Sequence, residues 1–249
     1  MTLQAIEQLL FPAECLLCQA LLPGSRAAQL VCPVCRHRWR RLVPPWCERC
    51  GQPGPRFGPC RLCTPWPATL TRVRSAVWLD GAARPAVHAL KYRGFPRIAD
   101  ELADVMVRAL PAPGTTSVLV PIPLAPRRLR ARGYNQSERL AAALGRQWGV
   151  RTAPRVLTRV KETPSQTALT PALREANVAG AFGVLSGGLG ELAPGPRTGV
   201  NPPGPCFVLV DDVFTTGATL AEAARALERA GAGAVTAVTF GRAVIPDFS

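Results

Sequence analysis

Lysine is nearly missing from this 249-residue chain: Lys91 and Lys161 stand alone among 30 basic residues, and the rest are Arg. A GC-rich genome writes Arg for Lys and favours Ala, Gly and Pro, so the exchange excludes nothing by itself. It does not account for a net charge of +14. Histidine is equally scarce, with two residues. His37 stands beside Cys35 and reads as a surface residue, and His88 as a packed or surface one, so neither suggests a catalyst. No window supplies the roughly 20 apolar residues that a membrane-spanning helix needs. The N-terminus lacks a basic leader and contains Glu7, which argues against a secretory signal. Leu3, Ile6 and Leu10 instead recur at helical spacing, as in a short amphipathic helix. These absences predict a cytoplasmic chain, and they weaken a disulfide scaffold, which needs an oxidising compartment.

The length suits one domain of roughly 150–200 residues plus a small appendage. The basic excess is patterned. Residues 118–178 carry eleven basic against three acidic residues, whereas 179–249 carry four against six. A basic surface favours phosphate-bearing partners through steering and counterion release.

Eight of the nine cysteines fall in the first quarter, in strict Cys-x-x-Cys pairs: Cys15/Cys18, Cys32/Cys35, Cys47/Cys50 and Cys60/Cys63. Each pair aims two thiolates at one point, and two pairs complete a tetrahedral shell for Zn(II). Four pairs predict a small zinc-ribbon module over residues 1–66, with one or two structural zinc sites. Spacing does not decide which pairs combine; adjacent and crossed arrangements use the same ligands. Trp39 and Trp46 are expected to pack on the ribbons, with Pro44 and Pro45 separating them. Arg36, Arg38, Arg40 and Arg41 surround Trp39. This run suits phosphate contact and base stacking, or is simply a solvated rim. Cys206 opens an apolar segment and reads as an inert buried thiol.

The second unit, residues 67–249, is read as α/β. Phe207–Val210 is an apolar run of the kind found in a buried parallel strand. Asp211 and Asp212 follow, then the small-residue loop Thr215, Thr216, Gly217, Ala218 and Thr219. A helix over Leu220–Ala230 and a strand over Ala234–Phe240 complete a βαβ unit, whose ligands bind at strand C-termini. A loop entering a helix can surround a phosphate with backbone N–H groups and hydroxyls, helped by the helix dipole. Gly217 permits close backbone approach. Two carboxylates just before such a loop can accept hydrogen bonds from vicinal ribose hydroxyls. Earlier, Ser117–Pro123 reads as a core strand, Gln136–Trp148 as a helix and Pro154–Val160 as a second strand. Ser186–Pro205 is Gly/Pro-rich and reads as a mobile insertion.

The string VLVDDVFTTGAT resembles the PRPP-binding signature of type I phosphoribosyltransferases. That resemblance implies a parallel sheet flanked by helices, with Asp211 and Asp212 on the ribose hydroxyls. Thr215, Thr216, Gly217, Ala218 and Thr219 would hold the 5-phosphate, with Mg(II) accompanying PRPP. It also implies a diphosphate-binding loop after Ser117–Pro123, where Arg127, Arg128, Arg130 and Arg132 suit an anion, and a flexible active-site loop over Lys161–Asn177.

Joined to the cysteine module, the strings CLLC, CPVC, CERC, CRLC, ALKYRG, VPIPL, RRLRARGYNQ, PSQTALTPALREANVAGAF and LVDDVFTTGATL resemble the ComF (ComFC-type) competence family over nearly the whole chain. The resemblance implies a role in natural transformation, in handling incoming single-stranded DNA beside an ATP-driven DNA translocase, with recruitment to the inner face of the membrane by the uptake machinery. It places Lys91, Tyr92 and Arg93 near the ligand. Arg127, Arg130, Arg132 and Lys91 are the candidate contacts to diphosphate or DNA phosphates. A genuine phosphoribosyltransferase and a PRPP-binding regulator without turnover remain alternatives, because no acceptor-pocket or catalytic residue stands out.

Overall fold

Apolar runs without polar alternation become the interior of a parallel sheet. The computed structural model describes residues 13–23, 29–54, 58–161, 178–185 and 206–244. The expected N-terminal helix, residues 162–177 of the expected active-site loop and the expected insertion at 186–205 lie outside the described residues. The main sheet has five strands: β1 (Leu70–Trp78), β2 (Val118–Pro121), β3 (Arg151–Thr152), β6 (Phe207–Phe214) and β7 (Val235–Arg242). Their order is β1-β7-β6-β2-β3, and every pairing is parallel. Short β4 (Leu157–Arg159) and β5 (Phe182–Val184) form a separate antiparallel ribbon. The segment Pro154–Val160 is therefore not the sheet's second strand. Its three strand residues pair with β5, and Arg151–Thr152 takes the place beside β2.

Strand alternation sends successive side chains to opposite faces. Leu119, Val208, Val210, Val238 and Phe240 join a cluster with the helices α2 (Arg84–Tyr92), α3 (Ile98–Ala109) and α5 (Gln136–Trp148). Val118, Val120, Phe207, Leu209, Val235 and Ala237 join the other cluster, with α6 (Ala218–Arg229) and the β4–β5 ribbon. Helix α3 shows why these pieces pack. Ile98, Leu102 and Met106 recur every four residues and are fully buried, each worth roughly 1.5–3 kcal/mol of apolar burial. Helix α5 starts at the Asn135 cap, whose side chain accepts from the Ser137 N–H, and ends at Gly149 in the left-handed region.

The cysteine segment divides between these two faces. Cys15, Cys32, Cys35 and Trp39 belong to the first cluster, and Cys50, Cys60, Cys63 and Trp66 to the second. The short helix α1 (Pro33–His37) carries the Cys35 end of one knuckle. Between the two sets the chain runs along the outer edge of β1. Arg41 bridges to Val77, Leu42 N–H donates to Ala76 O, and Trp78 N–H donates to Arg40 O. That contact covers an otherwise open sheet edge.

Candidate functional site

The site follows from where strand order reverses. From β2 the chain crosses through α5 to β3 on one side; from β6 it crosses through α6 to β7 on the other. The crevice at such a reversal, outside the strand C-termini, is where open α/β sheets bind ligands. Strand β2 stops at Pro121, paired with Val210, and Ile122 N–H makes the last bond, to Val210 O at 3.0 Å. Pro123 has no N–H with which to continue, and the chain turns into α4 (Pro126–Arg132). Strand β6 continues to Phe214, paired with β7 alone. Asp211 and Asp212 therefore lie inside the strand, four residues longer than its apolar run, beside the opening that β2 leaves.

Their side chains go to different partners. Asp212 is buried and its Oδ2 lies 2.6 Å from Lys91 Nζ of α2. Asp211 is half-buried, and its Oδ1 accepts from Ser137 Oγ at 2.8 Å and from the Asp212 N–H at 2.9 Å. Burial, then the neighbouring Asp212 charge, push the Asp211 carboxyl up to about 7; Lys91 and the Ser137 hydroxyl oppose them. Burial would lower the Lys91 ammonium, but Asp212, with Asp211 and Tyr92, outweighs it and the net movement is upward. Arg159 of β4 is lowered first by burial and then by Arg128, while Asp211 raises it. The Arg159 guanidinium is thus within electrostatic reach of Asp211, and Arg128 within reach of Arg159.

The small-residue loop is shorter than expected. Thr215, Thr216 and Gly217 form the turn, and α6 already begins at Ala218, so Ala218 and Thr219 lie in its first turn. Thr216 is buried, and its Oγ1 accepts from the Ala218 N–H at 3.4 Å. Gly217 has φ +82°, and a Cβ there would lie 2.3 Å from Trp66 Cζ2 and 3.0 Å from Phe214 Cε2. The space that glycine leaves is filled by the Trp66 ring.

The basic residues separate into distinct roles. Arg127 and Arg130 are exposed on α4, on the chain leaving the C-terminal end of β2. Arg132 bonds Gln136 Oε1 and lies 5.2 Å over the exposed Tyr92 ring. Lys91, expected to meet phosphate, is the counter-ion of Asp212. The GYNQ string is structural: Gly133 ends α4 at φ 79°, Tyr134 Oη donates to Leu90 O at 2.5 Å, and Asn135 Nδ2 donates to Ile122 O at 3.0 Å. Ser137 and Arg159 add to the surroundings of Asp211, with Arg128 coupled to Arg159. Neither Ser137 nor Arg159 carries a signal in the sequence beyond lying near the motif strings. Trp39 is buried, with Nε1 donating to Ala82 O at 2.9 Å and its ring edge-on to Phe240. It is not available to stack on a base. Arg36 in the same run is ion-paired with Glu101 and Asp104, and Arg40 with Asp80.

The eight cysteines resolve into two sets of adjacent knuckles: Cys15, Cys18, Cys32 and Cys35, and Cys47, Cys50, Cys60 and Cys63, with the sulfurs of each set within 4.8 Å of one another. The Sγ separations are 3.7 Å for Cys18–Cys32 and Cys47–Cys63 and 3.6 Å for Cys50–Cys60. A disulfide needs about 2.05 Å, whereas four thiolates at about 2.3 Å from a tetrahedral zinc lie about 3.8 Å apart. Burial would raise the Cys15 and Cys47 thiols, but backbone N–H groups lower both to about 7. Burial and neighbouring thiols push Cys63 up to about 12 and move Cys35 and Cys50 upward as well. Four thiols so arranged ionise together only around a cation, so both sets fit structural zinc. Cys206 is half-buried beside Thr236 Oγ1, outside both sets.

Comparisons agree with this layout. Residues 6–64 match the model of the double zinc ribbon domain family. The chain is 33% identical over 231 residues to DNA utilization protein YhgH of Salmonella typhi, covering 90% of this chain and 94% of that protein. It is 29% identical over 222 residues to competence protein ComFC of Bacillus subtilis strain 168, covering 84% and 82% of the two chains. Over 113 residues it is 34% identical to competence protein F of Haemophilus influenzae, covering 45% and 44%. Among the described residues no helix is long and apolar enough to cross a membrane.

Proposed function

This chain belongs to the ComF-type family of DNA utilization and competence proteins that includes YhgH and ComFC, and from that premise we propose that it assists the handling of single-stranded DNA in natural transformation through a pocket that binds the ribose 5-phosphate part of PRPP. The observation that carries the pocket is the junction of three features at the strand-order reversal: the Asp211–Asp212 pair, the Thr215–Gly217 turn and the N-terminus of α6. The turn and helix offer N–H groups and hydroxyls to the 5-phosphate. Asp211, held by Ser137, faces the diol, and Asp212 is paired with Lys91. Arg159, through its coupling to Asp211, and Arg128, through its coupling to Arg159, are the cations proposed for a diphosphate. Mg(II), where it accompanies PRPP, would supply positive charge that neutralises the diphosphate.

Single-stranded DNA is proposed to follow the exposed arginines of α4 and the Tyr92–Arg132 pair beside the same opening, since an Arg/aromatic surface suits phosphate tracking and stacking. Delivery by an ATP-driven DNA translocase fits this role.

The test is calorimetric titration of the zinc-loaded chain with PRPP and Mg(II), against Asp211→Asn/Asp212→Asn. Binding by the wild type and loss of at least a hundredfold in the variant, with its zinc content unchanged, supports the pocket. Equal affinity in the two proteins refutes it.

A further inference from the structure

The residue that fills the space beside Gly217 comes from the cysteine module. We propose that Trp66 is a positioning residue for the phosphate-binding turn, and that zinc in the second cysteine set fixes the geometry of that turn whereas zinc in the first set does not. The proposal rests on the reading of residues 215–219 as a phosphate site.

A set of contacts connects the second set of cysteines to the turn. The Trp66 ring occupies the volume that a Cβ on Gly217 would need and meets Phe214 edge-on, with centroids 6.0 Å apart. Trp66 is itself tied to the knuckles, because its N–H donates to Cys63 O at 3.2 Å. Arg49, between Cys47 and Cys50, donates to Cys63 O, Trp66 O, Pro67 O and Leu70 O at 2.6–3.2 Å. One guanidinium thus ties the first knuckle of this set to the segment carrying the tryptophan. From the other side, Arg242 of β7 donates from Nη1 to Cys50 O at 2.9 Å and lies 4.2 Å over the Phe214 ring. Arg225 of α6 donates to Pro65 O at 2.9 Å.

The first set is placed differently. Trp39 reaches Phe240 and Ala82, and Arg93 reaches Leu16 O, all on the opposite face of the sheet or its helices. A turn whose glycine is in the left-handed region and whose open side is closed by an indole has its N–H directions set by that indole. Loss of the second zinc releases Cys47, Cys50, Cys60 and Cys63, and with them the carbonyls that hold Arg49 and Arg242.

Coupling between two sites is reciprocal, and this supplies a test that does not depend on activity. Zinc is titrated out of the full chain at equilibrium with a chromogenic chelator, with and without saturating ribose 5-phosphate, and the two transitions are assigned with Cys18→Ser and Cys63→Ser. The expected result is that ribose 5-phosphate tightens the second zinc by about tenfold and leaves the first unchanged. Trp66→Leu should still hold two zinc ions but lose this protection and bind ribose 5-phosphate about tenfold more weakly. The wild-type arm stands without the variant if the variant does not fold. Ribose 5-phosphate that binds calorimetrically but protects neither zinc, or both equally, overturns the coupling alone. Absence of any binding overturns the phosphate-site reading and the coupling together.

Discussion

Replacing Lys91 by Met tests whether this residue is a structural counter-ion or a ligand contact. Its ammonium lies 2.6 Å from Asp212 Oδ2, with the two side chains 22% and 3% exposed. At that distance the attraction is about 6 kcal/mol for an effective dielectric constant of 20, most of which offsets the desolvation of both charges. The quantity that unfolding measures is the cost of leaving the carboxylate behind. Removing one partner of a buried pair typically costs about 3–5 kcal/mol. Lys91 keeps some contact with solvent, so the lower end, about 3 kcal/mol, is expected. Adding Asp212→Asn removes the stranded charge, and the double variant should be within about 1 kcal/mol of the wild type, since replacing both members of such a pair is often near neutral.

Urea unfolding at pH 7, followed by circular dichroism with zinc present throughout, measures all four corners of the cycle. A loss of about 3 kcal/mol is large against a typical total of about 5–15 kcal/mol, so the midpoint shift is easily resolved. A Lys91→Met cost below about 1 kcal/mol, or strictly additive effects, would refute the counter-ion role and return Lys91 to the ligand.

Three other outcomes are expected. Asp211 holds its proton to about pH 7 in the folded chain against an ordinary value of 3.8. The unfolded chain therefore binds fewer protons between those values, and stability should fall as pH rises from about 4 to 7, by at most about 4 kcal/mol. Asp211→Asn should flatten that slope in unfolding free energies measured from pH 4 to 8, and an identical slope in both proteins contradicts the assignment. Atomic emission should find two zinc ions per wild-type chain and per Cys206→Ser chain, but one per Cys63→Ser chain; a single zinc in the wild type contradicts the two-set arrangement. Binding of a single-stranded oligonucleotide, followed by fluorescence anisotropy, should weaken with salt at a logarithmic slope of about −3 for roughly four neutralised phosphates. Arg130→Gln should reduce that slope by about 0.7, and a salt-independent affinity counts against phosphate-led binding.

What the sequence makes legible is what lies contiguous in it. FVLVDDVFTTGAT carries strand, acids, turn and helix start in one stretch, and each part keeps its order in the structure. The knuckles are equally local, and adjacent ones combine, the simplest of the arrangements that spacing allows. Residues that act across the fold are not legible in this way. Ser137 meets Asp211 from 74 positions away, and nothing in its own segment sets it apart from an ordinary first-turn serine. Lys91 was noticed as a cation near a motif, but a one-dimensional pattern cannot tell a ligand contact from a counter-ion. RRLRARGYNQ shows a related limit. Its arginines suggest an anion loop, whereas Pro126 at the first helical position and Gly133 at the end make it a short helix. The Arg run around Trp39 suggests a stacking surface or a solvated rim, whereas the Trp39 ring enters the core against Phe240.

Composition changes sharply near residue 66, but the packing does not. Arg242 is 1% exposed at the end of β7, deep enough that its charge must be met by fixed acceptors. Those acceptors are Cys50 O and Gln52 Oε1, at 2.9 and 2.5 Å, both from the cysteine segment. The sheet carries a cation that the second ribbon meets with two acceptors, and the ribbon in turn shares its buried sulfurs with the core of β6, β7 and α6. The first ribbon is bound in the same manner: Leu30 N–H donates to Glu101 Oε1 of α3 at 2.7 Å, and Arg36 pairs with the same carboxylate. Each half of the module thus closes a buried polar group on one face of the sheet. Such closure requires both partners to be folded together, and it gives a physical reason for metal sites remote from the crevice to bear on its shape.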